Sequence, residues 1–239
     1  MGGFSRRAFL FSGVCGAAMA ADGALARSIT GIPWTPGTAD TPHVPDGSFL
    51  TTAERRTLDA FCQRLIPADE TGPGAREAGV GDFIDRQLSG FYGRGDRWYM
   101  QGPFEDGTDE QGYHSEHAPA ALYRAALKAL QDHCAKEFSG RGFADLSPDE
   151  QDELISALQE GEIEFDGVSA SAFFELALDN TIEGFFCDPL YGGNRDMVGW
   201  KLVGFPGARY DYRPYLNHNG SPIALEPVGL MGRPAWNPR

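Results

Sequence analysis

The chain has 239 residues, a formal net charge of −14 and a hydrophobic share of 41%. That length suits one ordinary domain with extensions, or at most two small ones, and the apolar share is enough for a real core. So acidic a balance argues against nucleic acid and anionic lipid as partners, and it favours solubility.

The N-terminus has the layout of a bacterial export signal. Arg6 and Arg7 precede a modestly apolar run from Ala8 to Ala21, and Ala24-Leu25-Ala26 offers a small-x-small cleavage site. Arg6-Arg7, with Ser5 before them and Phe9-Leu10 after, resemble the twin-arginine motif of the pathway that exports folded proteins. The alternative, an ordinary Sec leader, would want an apolar region richer in Leu. The run is too short for the ~20 apolar residues of a membrane span. Val14 stands before Cys15 where a lipoprotein site wants a small residue. Residues 1–26 are thus expected to be a leader and the mature chain to be periplasmic. An oxidising compartment would then hold Cys62, Cys134 and Cys187. Three cysteines leave open one bridge with a spare thiol, a bond to another chain, or three reduced thiols packed as small hydrophobes.

Residues 27–50, with Pro33, Pro36, Pro42 and Pro45, read as an extended lead-in. A helical domain is expected over 51–187. Thr51 with Glu54 forms a capping box, and Leu58, Phe61, Cys62 and Leu65 follow at helical spacing until Pro67. A shorter helix is expected from Val80 to Phe91, with Phe83, Ile84 and Leu88 on one side. The Gly/Asp-rich stretch 93–116 is too long for a simple connection. A strong helix then spans about Pro119 to Phe138, through Tyr123, Ala126, Leu127, Leu130 and Cys134. Ser147-Pro148-Asp149-Glu150 caps the next, which buries Leu154, Ile155 and Leu158. A final helix from about Ser169 to Phe186 is apolar around much of its circumference, so it must be central or face another subunit. No alternating β-branched run appears. The expectation is an all-α fold of four to five helices with irregular ends, the C-terminal one being the Gly-, Pro- and aromatic-rich, partner-binding segment 188–239, whose tail after Gly207 would lie across the helical body or wrap another protein.

Cofactor chemistry finds no footing in these residues. Gly79-Val80-Gly81 lacks the preceding strand of a dinucleotide site and reads as a helix start. The cysteines are too scattered for covalent haem or an iron–sulfur cluster. His114 and His117, with Glu116 and His133 near, are weak metal candidates at the end of a loop, and they carry the alternative reading of a stand-alone periplasmic metal-dependent enzyme. No catalytic group and no cofactor is assigned to this chain.

The segment EGFFCDPLYGGNRDMVGWKLVGFPG, residues 183–207, closely resembles the signature of the small subunit of bacterial gluconate 2-dehydrogenase, the subunit 3 family. In that family a twin-arginine leader, a helical body and a terminal G-F-F-x-D-P-x-Y-G-G-N…G-W…G-F-P-G segment occur together. Residues 184–207 follow the pattern nearly throughout, and Ser5-Arg6-Arg7 match its leader. The resemblance implies a non-catalytic subunit of a membrane-associated dehydrogenase complex. Its partners would be an FAD-containing large subunit of the glucose-methanol-choline type and a multihaem cytochrome c that passes electrons to quinone. The small chain would help the flavoprotein mature and carry it out of the cytoplasm, and membrane association would come only through the complex.

Within the segment, Pro189 is expected to end the helix by restricting Asp188, and Gly192-Gly193-Asn194 to turn the chain through positive φ. Tyr191, Trp200 and Phe205, followed by Pro206, would be displayed on a fixed loop as partner anchors, or would pack on the chain's own helices. Cys187 is a candidate for a bridge to the large subunit, although the family pattern does not require a cysteine there.

Overall fold

Capping chemistry sets where the helices begin. In the computed structural model, which describes residues 49–104, 108, 115–209, 211–217, 220 and 225–232, helix α1 spans Thr52–Leu65. The Thr51 amide donates to Glu54 Oε2 at 2.8 Å and the Glu54 amide donates back to Thr51 Oγ1 at 3.3 Å, so two otherwise orphaned helix donors are satisfied. Ser147 and Glu150 repeat the device ahead of α5, Pro148–Gln159. Between these, α4 runs Pro119–Glu137 with proline in its first turn, and α6 runs Ala170–Phe186 behind a Ser169 cap.

The helix expected over Val80–Phe91 stops earlier. Helix α2 is Val80–Ser89, starting from Gly79 at φ 75°, and Gly90 is extended at ψ −161°. A separate turn, α3, Phe91–Arg94, then folds back against it. Gly93 permits this close return, because a Cβ there would collide with the Leu88 carbonyl. Beyond residue 186, where no further helix is expected, a short helix α7, Val198–Val203, follows. The described residues are all-α, with five long helices and two short ones, and only isolated bridging pairs where strands would be.

The core is assembled from one stripe of each long helix: Leu58 and Phe61 of α1, Ile84 and Leu88 of α2, Tyr123, Leu127 and Leu130 of α4, Leu154 and Leu158 of α5, Phe173 and Ala177 of α6. Phe61 stands at its centre, 5.5 Å from the Phe173 ring and 5.7 Å from that of Phe143. Helix α6 packs against α1, α2, α4 and α5, as its wide apolar surface requires. Polar atoms drawn into this interior are paired. Asn180 Oδ1 accepts from both Tyr123 Oη and Tyr92 Oη at 3.0 Å, and the Thr181 hydroxyl donates to the Ala177 carbonyl at 2.6 Å. The described residues belong to one compact unit within Asp40–Gly232. Among them no helix is long and apolar enough to cross a membrane.

Candidate functional site

Where α6 ends, a polar scaffold replaces the apolar core. Phe186 is its last residue, and Cys187 and Asp188 are extended, Asp188 as the following proline demands. Pro189–Tyr191 make one 3-10 turn, which closes at Gly192 with φ 103°. Gly193 lies against the end of α6, where a Cβ would strike the Gly184 carbonyl oxygen. Asn194 comes next and holds the turn. It is wholly buried, at 0% exposure, and left-handed at φ 44°, ψ 41°. Its amide donates to Gly184 O at 2.8 Å, its Nδ2 to Cys187 O at 2.8 Å, and its Oδ1 accepts from the Gly199 amide at 2.8 Å. One side chain therefore ties the end of α6 to the start of α7, and Asn tolerates the left-handed backbone better than other side chains that could reach.

Two further pins fix the loop from outside. Arg195 donates from its backbone to Ala78 O at 2.9 Å, and its guanidinium meets Asp82 Oδ2 at 2.6 Å. Asp82 in turn meets Arg55 at 2.8 Å, so a surface relay reaches α1. Asp188 Oδ1 accepts from the Leu190 amide at 3.0 Å, and Oδ2 from the Leu230 amide at 2.7 Å. That second bond draws the chain's return, residues 226–232, onto the loop. Val228 O accepts from the Ala208 amide at 2.6 Å, and the Val228 amide donates to Pro206 O at 3.3 Å. A tail expected to lie across the body or to wrap another protein thus rests, over 226–232, on the 188–208 segment.

The three displayed rings divide. Trp200 is 6% exposed; its Nε1 donates to Phe186 O at 2.7 Å and its ring meets Phe205 edge-on at 5.1 Å. It packs on its own chain, and the reason is the bend at Asn194, which turns α7 back over the end of α6. Tyr191 and Phe205 remain open at 48% and 44%. Leu202 and Val203 of α7, and Ile182 and Phe186 one turn apart on α6, are exposed as well, and none of the four is marked as an anchor by the sequence alone. Pro206 is half-buried and serves through its carbonyl. Cys187 is half-buried, with its thiol directed at Gly184 O at 3.4 Å. Burial pushes that thiol up to about 11, which leaves little thiolate at neutral pH. Cys62, Cys134 and Cys187 are all free thiols, so of the open alternatives no bridge joins these three.

Arg6, Arg7, Ala24 and Ala26 lie outside the described residues, and so does His114. His117 is described: its Nδ1 stands 3.8 Å from Glu116 Oε1. Among the described residues no group of three or more His, Cys, Asp or Glu comes together that could hold a metal ion.

Fold and site together define a helical protein whose distinguishing feature is a backbone-pinned loop carrying exposed apolar side chains. The gluconate 2-dehydrogenase subunit 3 family matches residues 52–207, and the chain belongs to that family. The family's description is that of one subunit of a multi-subunit dehydrogenase. No curated protein and no solved structure matches the chain.

Proposed function

We propose that this chain is the non-catalytic small subunit of an FAD-dependent dehydrogenase complex at the periplasmic face of the inner membrane, and that it supports the maturation, twin-arginine export and stability of the flavoprotein large subunit. The observation that carries the reading is the pinned 186–208 segment, which falls within or beside the family match and holds large apolar side chains open to solvent. Rigid apolar display of this kind suits protein association, because docking then orders few new groups. FAD and haem c belong, on this reading, to the flavoprotein and the multihaem cytochrome c, and substrate specificity lies in the flavin pocket. The leader reading of Arg6-Arg7 supplies the export route, with the passenger holding the cofactor.

The test is export of the partner. Arg6→Lys/Arg7→Lys in the full-length chain should strand the flavoprotein in the cytoplasm, read by fractionation and flavin content. Normal export of the flavoprotein with that variant contradicts the proposal. In the genome, a flavoprotein frame beside this gene, followed by one rich in C-x-x-C-H, is the expected arrangement.

A further inference from the structure

Three residues of the four from Asn194 to Met197 are left-handed: Asn194 at φ 44°, Asp196 at 57° and Met197 at 56°. A side chain in that conformation is strained, less so for Asn and Asp. The three are not compensated alike. Asn194 is repaid by the hydrogen bonds that join α6 to α7. Met197 directs the chain into α7 and is half-buried. The Asp196 carboxylate is exposed and makes no hydrogen bond or ion pair with any described residue, although an Asp so placed commonly locks onto nearby backbone. Uncompensated strain at a rigid surface turn is the pattern of a ligand clamp.

Close to this carboxylate in the chain, or tied to α7 through Trp200, are the exposed apolar side chains already described. Ile182 and Phe186 present one side of α6; Phe186 supports Trp200, whose ring supports Phe205; Leu202 and Val203, at 50% and 59% exposure, project from the same short α7. Of the other exposed charges nearby in the chain, Arg195 is paired with Asp82, Glu183 accepts from Asn180, and Lys201 sits in regular helix with an ordinary backbone. We infer that this face is the docking surface for the dehydrogenase's flavoprotein subunit, which presents to it an apolar patch flanked by an Arg or Lys that pairs with Asp196.

The inference rests on the accessory-subunit reading above and adds the surface and its chemistry. Charge chooses among occupants. A second copy of this chain would bring another net −14 and another Asp196 toward a carboxylate that has no cation of its own. An anionic lipid surface is opposed in the same way. A heterologous partner with a basic group beside an apolar patch answers both features.

The experiment captures the full-length chain on a tagged flavoprotein dehydrogenase from the same genome, the product of the frame beside this gene, at low and high salt. Leu202→Asp/Val203→Asp should lower capture by about 30-fold or more, as loss of interface anchors does. Asp196→Asn keeps the shape and the tolerance for left-handed backbone, and it should lower capture about fivefold at low salt, with the gap closing at high salt. Both variants should keep wild-type helicity and melting temperature. Capture of both at the wild-type level overturns this inference and leaves the accessory-subunit reading standing. A wild-type dimer that the double variant dissolves overturns it too. Failure of the wild-type chain to capture flavoprotein at all overturns the parent reading with it. If the double variant misfolds, Asp196→Asn decides alone: unchanged capture at low salt overturns the inference.

Discussion

The helical body and the 187–232 segment are held together by different physics. In the body, one apolar stripe per helix meets the others around Phe61, and burial of side-chain area supplies the stability. Among the described residues of the segment few side chains are buried, and the shape comes from backbone groups satisfied by Asn194 and Asp188 and from glycines pressed against carbonyls. The first kind of order depends on volume, the second on particular polar atoms. Substitutions should therefore fail in different ways in the two regions.

The largest effect is expected in the body. Phe61→Ala removes a fully buried ring that touches Phe143 and Phe173, and it should cost about 3–5 kcal/mol in urea unfolding, with every probe of the helical domain shifting together. Phe61→Leu should recover much of that loss. If the body unfolded no more easily with alanine there, the single core described above would be wrong.

Next comes Asn194→Ala, which leaves the Gly199 amide and the Cys187 carbonyl without partners and puts alanine at φ 44°. The expected cost is about 2–4 kcal/mol, localised to the segment. Hydrogen exchange across 187–207 should accelerate while protection in α1, α4 and α6 stays near wild type. Asn194→Gly, which keeps the backbone freedom but not the side-chain bonds, should fall between the two. Uniform acceleration over the whole body would erase the distinction between the regions.

A smaller contrast lies in pH dependence. Arg141 first, then the Ser147 backbone and hydroxyl, hold the Glu150 carboxyl down to about 2, against an ordinary 4.5. Because the folded value is depressed, the cap's contribution is complete above pH 4.5 and is lost as pH falls toward about 2. Wild type should exceed Glu150→Gln in stability at neutral pH, and the difference should shrink across that window, read by urea midpoints. The smallest effect is Leu202→Ala. It should leave stability of the isolated chain within about 0.5 kcal/mol, since its side chain faces solvent, while weakening capture of the flavoprotein.

The same contrast explains what could be read from the sequence. The five long helices were legible because apolar spacing continues through them, and Thr51/Glu54 and Ser147/Glu150 announce the starts of α1 and α5. Proline and glycine also marked where α6 would end. Helix α7 was not, because VGWKLV is only six residues in a glycine-rich run, too short for periodicity to speak. Its one local sign was Gly204, left-handed just past its end at φ 67°. The turn at Gly192 and Asn194 was readable from residue type, whereas left-handed Asp196 and Met197 were not, since neither type demands it. The fate of Trp200 depended on the closure of α7 onto α6. Before the fold is known, an aromatic in a loop looks the same whether it will anchor a partner or fill its own chain.

The most direct test of the account isolates the full-length chain twice, once alone and once co-expressed with the tagged flavoprotein, and measures bound flavin and sugar-acid oxidation in each preparation. The account predicts equimolar flavin and all turnover in the complex, with none in the chain alone. Turnover by the flavin-free chain by itself would contradict it.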